Sequence, residues 1–217
     1  MATLSATPVK FEAAAAERDE VKASATRVRF LTVPERRYLA IEGDAPPGGD
    51  AFQAAIGALY GTAYPLHFAL RERGVRVPIG HLHGVFWFER PDPIPLSLYA
   101  EGASAPSPMQ WRLLITLPDE ASASEIAAAV ERMLAKGGAD APVPSVITWD
   151  EGQVAQLLHV GPYDAEYPTI ERLTTAIRDA GLEPAGCHHE IYLSDPRTPP
   201  ERTRTVIRQP VTARLES

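Results

Sequence analysis

Apolar positions along the chain alternate between short dense runs and stretches spaced three to four apart. Between Arg27 and Gly43 the runs Val28, Phe30, Leu31 and Tyr38 to Ile41 predict two strands, with Pro34-Glu35-Arg36 as a turn. After the loop ending at Asp50, Phe52, Ala55, Ile56, Leu59, Tyr60 and Ala63 recur at helical spacing. They predict a helix from Ala51 to about Tyr64, opened by Asp50, with Pro65 just past its end. Strands are then expected at His67–Leu70, Gly84–Phe88, Leu96–Glu101 and Trp111–Thr116. A helix over Asp119–Lys136 places Ile126, Val130, Met133 and Leu134 on one face and stops at Gly137-Gly138. Gly152–Val160 reads as a strand and Gly161 to Asp164 as a turn. Glu166–Ala180 reads as a helix with Ile170, Leu173, Thr174 and Ile177 inward, ended by Gly181. His188–Ser194 and Thr203–Val211 close the pattern as strands.

The element order repeats. In each half a strand ends at a glycine turn, a helix follows, and a glycine introduces a strand with a histidine pair. Placing Gly80 on Gly186 aligns GHLHGVFW with GCHHEIYL, so that His83 falls on His189, Val85 on Ile191 and Phe86 on Tyr192. The expected fold is α+β. Two strand-helix-strand-strand modules, about 27–117 and 118–217, would form a pseudo-two-fold antiparallel sheet with helices on one side and a central groove, where ligands commonly bind. Residues 1–26 are rich in Ala, Glu and Lys without an apolar stripe, and read as an N-terminal arm or loosely docked segment.

Composition narrows the function classes. The chain has 217 residues, 45% of them hydrophobic and 23% charged, enough for a full core. A net charge of −7 argues against direct nucleic-acid binding, which needs clustered basic side chains. The one cysteine, Cys187, excludes an internal disulfide and a cysteine-rich zinc site. No apolar run reaches the ~20 residues of a membrane helix, and the N-terminus lacks a signal-peptide pattern, so a cytoplasmic location is expected. No phosphate-binding glycine loop or Gly-x-Ser-x-Gly elbow occurs, and no cofactor is expected.

The most informative run is His188-His-Glu-Ile-Tyr-Leu-Ser-Asp-Pro-Arg197. On a strand, His188, Glu190 and Tyr192 share one face and His189, Ile191 and Leu193 the other. A carboxylate between an imidazole and a phenol suits cation binding, or acid–base work if desolvation raises its pKa. A solvated strand face is the bland alternative. His188 and Glu190 with His81 or His83 would make a metal set, but adjacent histidines diverge, and no metal is expected. The rings of Trp87, Tyr60, Tyr64, Tyr163 and Tyr192 carry polar tips that favour a partner or a wet cavity, and rings around a carboxylate suit a lipophilic cation.

Leu59-Tyr-Gly-Thr-Ala-Tyr64, Ala155-Gln-Leu-Leu-His-Val-Gly-Pro-Tyr163, the His188–Arg197 run and Thr205-Val-Ile-Arg-Gln-Pro-Val211 resemble the GyrI-like small-molecule-binding family, in particular its stand-alone subgroup, related to the effector-binding domains of AraC-type regulators. The resemblance implies a groove where hydrophobic, often cationic molecules meet a buried Glu, here Glu190. Tyr192, Tyr163, Tyr60, Tyr64, Trp87, His83 and His188 would line it. It implies a sensor or sequestering protein. Alternatively it implies a hydrolase of strained electrophiles such as cyclopropane-containing DNA alkylators, with Glu190 as water-positioning base and His83 or Tyr192 assisting. A gyrase-inhibitor-type interaction module, with a protein partner and a monomeric or homodimeric state, is the third reading. His83 stands where stand-alone relatives tend to have a second Glu.

Overall fold

The computed structural model describes residues 9–13, 17–99, 107–138 and 140–214. Its elements run β1 (Glu12–Ala13), α1 (Glu17–Glu20), β2 (Arg29–Val33), β3 (Arg36–Gly43), α2 (Asp50–Glu72), β4 (Leu82–Trp87), β5 (Gln110–Thr116), α3 (Ala123–Gly137), β6 (Ser145–Trp149), β7 (Gly152–Val160), α4 (Tyr167–Asp179), β8 (Leu182–Pro184), β9 (His188–Tyr192) and β10 (Arg204–Ala213). The strands form one sheet in the order β1-β2-β7-β10-β9-β4-β5-β3-β6, with β8 also on β10. Only β1–β2 is parallel among the described pairs.

Register decides which residues share a face. Ile41 pairs Leu113, Leu113 pairs Gly84, Gly84 pairs Glu190, Glu190 pairs Ile207 and Ile207 pairs Leu157. This row crosses the sheet on one face. At its first end Leu39, Ile41, Leu113 and Ile115 pack with Phe52, Leu59, Leu66 and Leu70 of α2. At its other end Leu157 and Ile207 pack with Ile170, Leu173 and Ile177 of α4. Both helices therefore cover the same face. α2 rests mainly on β3 and β5, and α4 on β7, β8 and β10. The central strands β4 and β9 lie between the two supports. β4 is buried along its whole length, which is why Gly84 to Trp87 show no alternation of polar and apolar residues.

Helix α2 runs through Pro65 instead of ending before it. An interior proline costs about 3 kcal/mol. Leu66 and Leu70 beyond it are buried at 2% and 0% exposure, and each such burial contributes about 2 kcal/mol. Core packing outweighs the local penalty, so the expected strand His67–Leu70 is helical. The expected strand Leu96–Glu101 is a 3-10 turn over Leu96–Tyr99, and its last two residues lie outside the described ones. Strands β6 and β8 have no counterpart among the expected elements. α3 follows its sequence signals: Ser122 and Glu125 form a reciprocal capping box.

Within the described part of the N-terminal arm, Glu20 docks onto the sheet. Glu20 is 1% exposed. Its carboxylate accepts from Arg36 at 2.5 and 2.8 Å, and its carbonyl accepts from Gln156 at 2.6 Å and Arg208 at 3.0 Å. The arm thereby shields polar groups on the sheet face away from α2 and α4.

Candidate functional site

Glu190 lies on the helix-bearing face of β9, flanked by His188 and Tyr192 as period-two alternation requires. Its side chain is 13% exposed and accepts a hydrogen bond from His188 Nε2 at 3.1 Å. Glu166, 6% exposed, enters from the residue preceding α4. It makes no capping bond to the helix, and one of its carboxyl oxygens has no hydrogen-bond partner. Ligand atoms of Glu166, His188 and Glu190 lie within 4.8 Å of one another, a group that could hold a metal ion. His83 has no share in it.

Two carboxyl groups in one dry place cannot both ionise cheaply. Burial first, and then the charge of Glu190 and a hydrogen bond to it, push the Glu166 carboxyl up to about 10. Burial also works against ionised Glu190, but hydrogen bonds from His188, and then from Tyr192 and Glu166, hold it below the usual range. The pair near neutral pH is therefore one protonated carboxyl donating to one carboxylate. Three phenols surround it. Burial and then the Glu190 charge raise the Tyr192 hydroxyl well above its ordinary value, and Tyr99 behaves likewise. Tyr163 is raised by the same causes, and its ring meets Tyr192 edge-on at 5.7 Å. Tyr99 meets His188 edge-on at 5.3 Å. Gly84 forms the floor: a Cβ there would stand 2.8 Å from the Tyr192 hydroxyl and 2.7 Å from the Phe86 ring.

Of the residues singled out from sequence, the structure brings Glu190, His188, Tyr192 and Tyr163 together. It places the others elsewhere. His83 and Trp87 have the opposite parity on β4 and face away from Glu190. Trp87 donates to Gln110 at 3.1 Å and carries Arg112 over its ring. Tyr60 and Tyr64 border a different groove, between α2 and α3, of about 740 Å³. Glu166 and Tyr99 are the members that sequence reasoning missed. The one available signal was Glu166 itself, since glutamate is not among the residues favoured at a helix N-cap.

His83 belongs to a second buried polar group on the other face. His189 donates from Nδ1 to Glu151 at 2.6 Å, and its Nε2 accepts from His83 Nδ1 at 3.0 Å. Arg208 donates to Glu151 at 2.8 Å and to Gln156 at 2.9 Å. Burial opposes the Glu151 charge, but His189 and Arg208 outweigh it and hold that carboxyl down at about 2. Burial lowers His189 and keeps it neutral, which fixes the tautomers of both histidines. This group ties the arm, β7, β9 and β10 together. Its members are sealed at 0% to 1% exposure for His189, Arg208 and His83.

Comparisons with known proteins agree on the fold. Residues 116–212 match the GyrI-like small molecule binding domain. No curated protein sequence matches. An uncharacterized conserved protein from Listeria innocua superposes with a TM-score of 0.77 at 26% identity, covering 90% of this chain and 97% of that one. A hydrolase from the same organism superposes with a TM-score of 0.72 at 24% identity, covering 94% of this chain and 100% of that one. A further Listeria innocua structure described as a hydrolase gives 0.71 at 24%, covering 90% and 96%. The chain thus shares the fold of the GyrI-like superfamily, matched by the family model over part of its length and at low identity by whole structures. No described helix is long and apolar enough to cross a membrane.

Proposed function

We propose that the chain hydrolyses a small, largely apolar, strained electrophile at the Glu166–Glu190 pair. The observation that carries this reading is the meeting of two shielded carboxyl groups: Glu166 is 6% exposed, the Glu190 side chain 13%, and their ligand atoms lie within 4.8 Å of each other and of His188, a closeness that pushes one carboxyl up while its neighbours hold the other down. Environments that push two titratable groups apart mark an acid and a base. Ionised Glu190 takes a proton from water as its oxygen bonds to the electrophilic ring carbon. The strained ring bond breaks, and its electron pair takes the proton of Glu166. Water has then added across the ring. The proton gained by Glu190 passes back to Glu166 along their shared hydrogen bond, and the pair is restored. Tyr192, by donating to Glu190, tempers that base, and Tyr163 walls the mouth. The hydrolase descriptions of two structural relatives accord with this reading.

A second reading, capture of a lipophilic cation without turnover, draws on the same carboxylate and on the rings of Tyr99, Tyr163 and Tyr192. The register itself supports a two-halved architecture behind either reading. Pairing of β4 with β9 is symmetric about Gly84 and Glu190, in the same offset that aligns Gly80 with Gly186.

Glu190→Gln separates the readings. The probes are trans-stilbene oxide and a spirocyclopropyl dienone for turnover, and rhodamine 6G for cation binding. Hydrolysis predicts measurable wild-type turnover that falls at least a hundredfold with KM nearly unchanged, as expected when a general base is lost. Capture predicts no turnover and about a tenfold loss of rhodamine affinity. No turnover together with an unchanged rhodamine affinity rejects both.

A further inference from the structure

A second cavity, of about 360 Å³, adjoins this cluster. It lies between the 3-10 turn Leu96–Tyr99, helix α4 and the β8–β10 pair. Its walls are mixed, with Leu96, Ile170 and Leu182 supplying an apolar part and Thr174 and Gln209 a polar one, and its volume falls within the range of small-molecule sites. Tyr99 is a wall it shares with the Glu190 cluster, because the same ring packs edge-on against His188. Arg178 and Arg214 border it. Neither guanidinium makes a side-chain hydrogen bond or ion pair among the described residues. Glu183 also borders it, which leaves an excess of positive charge at this place in a chain of net charge −7.

We propose that this cavity binds an amphiphile with an apolar, ring-sized body and a terminal anionic group, the body between the turn and α4 and the anion at Arg178 and Arg214. The two forks offer charge-assisted bonds to a carboxylate, sulfonate or phosphate. Tyr99 makes the cavity an extension of the cluster: a substrate reacting beside Glu190 places its anionic tail past that ring. The link to the reaction rests on the hydrolase reading, whereas the anion preference of the cavity does not.

The test uses two fluorescent probes of one shape, 1-anilinonaphthalene-8-sulfonate and the uncharged N-phenyl-1-naphthylamine, titrated into the full chain. The wild type is expected to prefer the sulfonate. In Arg178→Gln/Arg214→Gln that preference falls about tenfold, the size of a few charge-assisted contacts at a partly wet rim, while the uncharged probe binds as before. Thr174→Trp, which fills the cavity from α4, weakens both probes. An unchanged preference in the arginine variant overturns the proposal, as does binding of both probes to Thr174→Trp with wild-type affinity. If the wild type turns over neither electrophile while the arginine variant still loses its preference, the cavity site stands and only the reaction fails.

Discussion

Replacing Glu166 by Gln removes one titrating group and keeps its shape and a donor toward Glu190. In the folded chain burial and Glu190 push the Glu166 carboxyl from an ordinary 4.5 up to about 10. A carboxyl raised in this way favours the fold most where both the folded and the unfolded chain hold its proton. That contribution is fully present below pH 4.5 and is lost progressively as pH rises toward about 10. At pH 7 the unfolded chain has released the proton and the folded one has not, a mismatch of about 2.5 pH units. That corresponds to about 3 kcal/mol of lost stability. The amide of Glu166→Gln carries no such cost. The variant is therefore expected to exceed the wild type by up to about 3 kcal/mol at pH 7, or roughly 6–12 °C in Tm for a chain of this size. Urea unfolding between pH 4.5 and 8 checks it. The two proteins should converge at the acid end and diverge by as much as ~1.4 kcal/mol per pH unit above it. A difference constant across that range would refute the premise that Glu166 is protonated in the folded chain.

Two further outcomes follow from named contacts. Gly84→Ala places a methyl 2.8 Å from the Tyr192 hydroxyl and 2.7 Å from Phe86, and should cost about 1–3 kcal/mol as other overpacked sites do. In a Tyr192→Phe background the cost should shrink, which a double-mutant cycle in urea measures; full additivity would show that the hydroxyl is not what the methyl meets. Arg208→Met leaves the Glu151 carboxylate sealed in the core with only His189 and should destabilise by about 3–5 kcal/mol. Because the folded Glu151 carboxyl sits at about 2, its stabilisation is present above pH 4.5 and lost as pH falls toward 2. A loss under about 1 kcal/mol for Arg208→Met at pH 7 would mean that Glu151 finds another partner or a proton.

The local alphabet of the chain was largely legible. β7 runs over Gly152–Val160 as its pattern predicts, and α3 stops where glycines remove the side chain that would continue it. Alternation on β9 was enough to place His188, Glu190 and Tyr192 on one face. Period-two alternation also contained the error about Trp87 and His83, since parity within β4 is visible but its phase against β9 is not. Only the register Gly84 to Glu190 sets that phase.

What sequence could not reach are decisions made by packing between distant segments. Pro65 is a stop signal in every local reading, yet Leu66 and Leu70 carry α2 through it because the core gains more than the proline costs. Glu166 is separated from Glu190 by a whole helix, and nothing in its neighbours announces that α4 will deliver it to β9. Composition and periodicity thus determined an α+β chain of net charge −7 with a carboxylate between an imidazole and a phenol on one strand face. The tertiary structure alone decided that two of its carboxyl groups meet out of water, because a pKa depends on distances across the fold and a sequence records only distances along the chain.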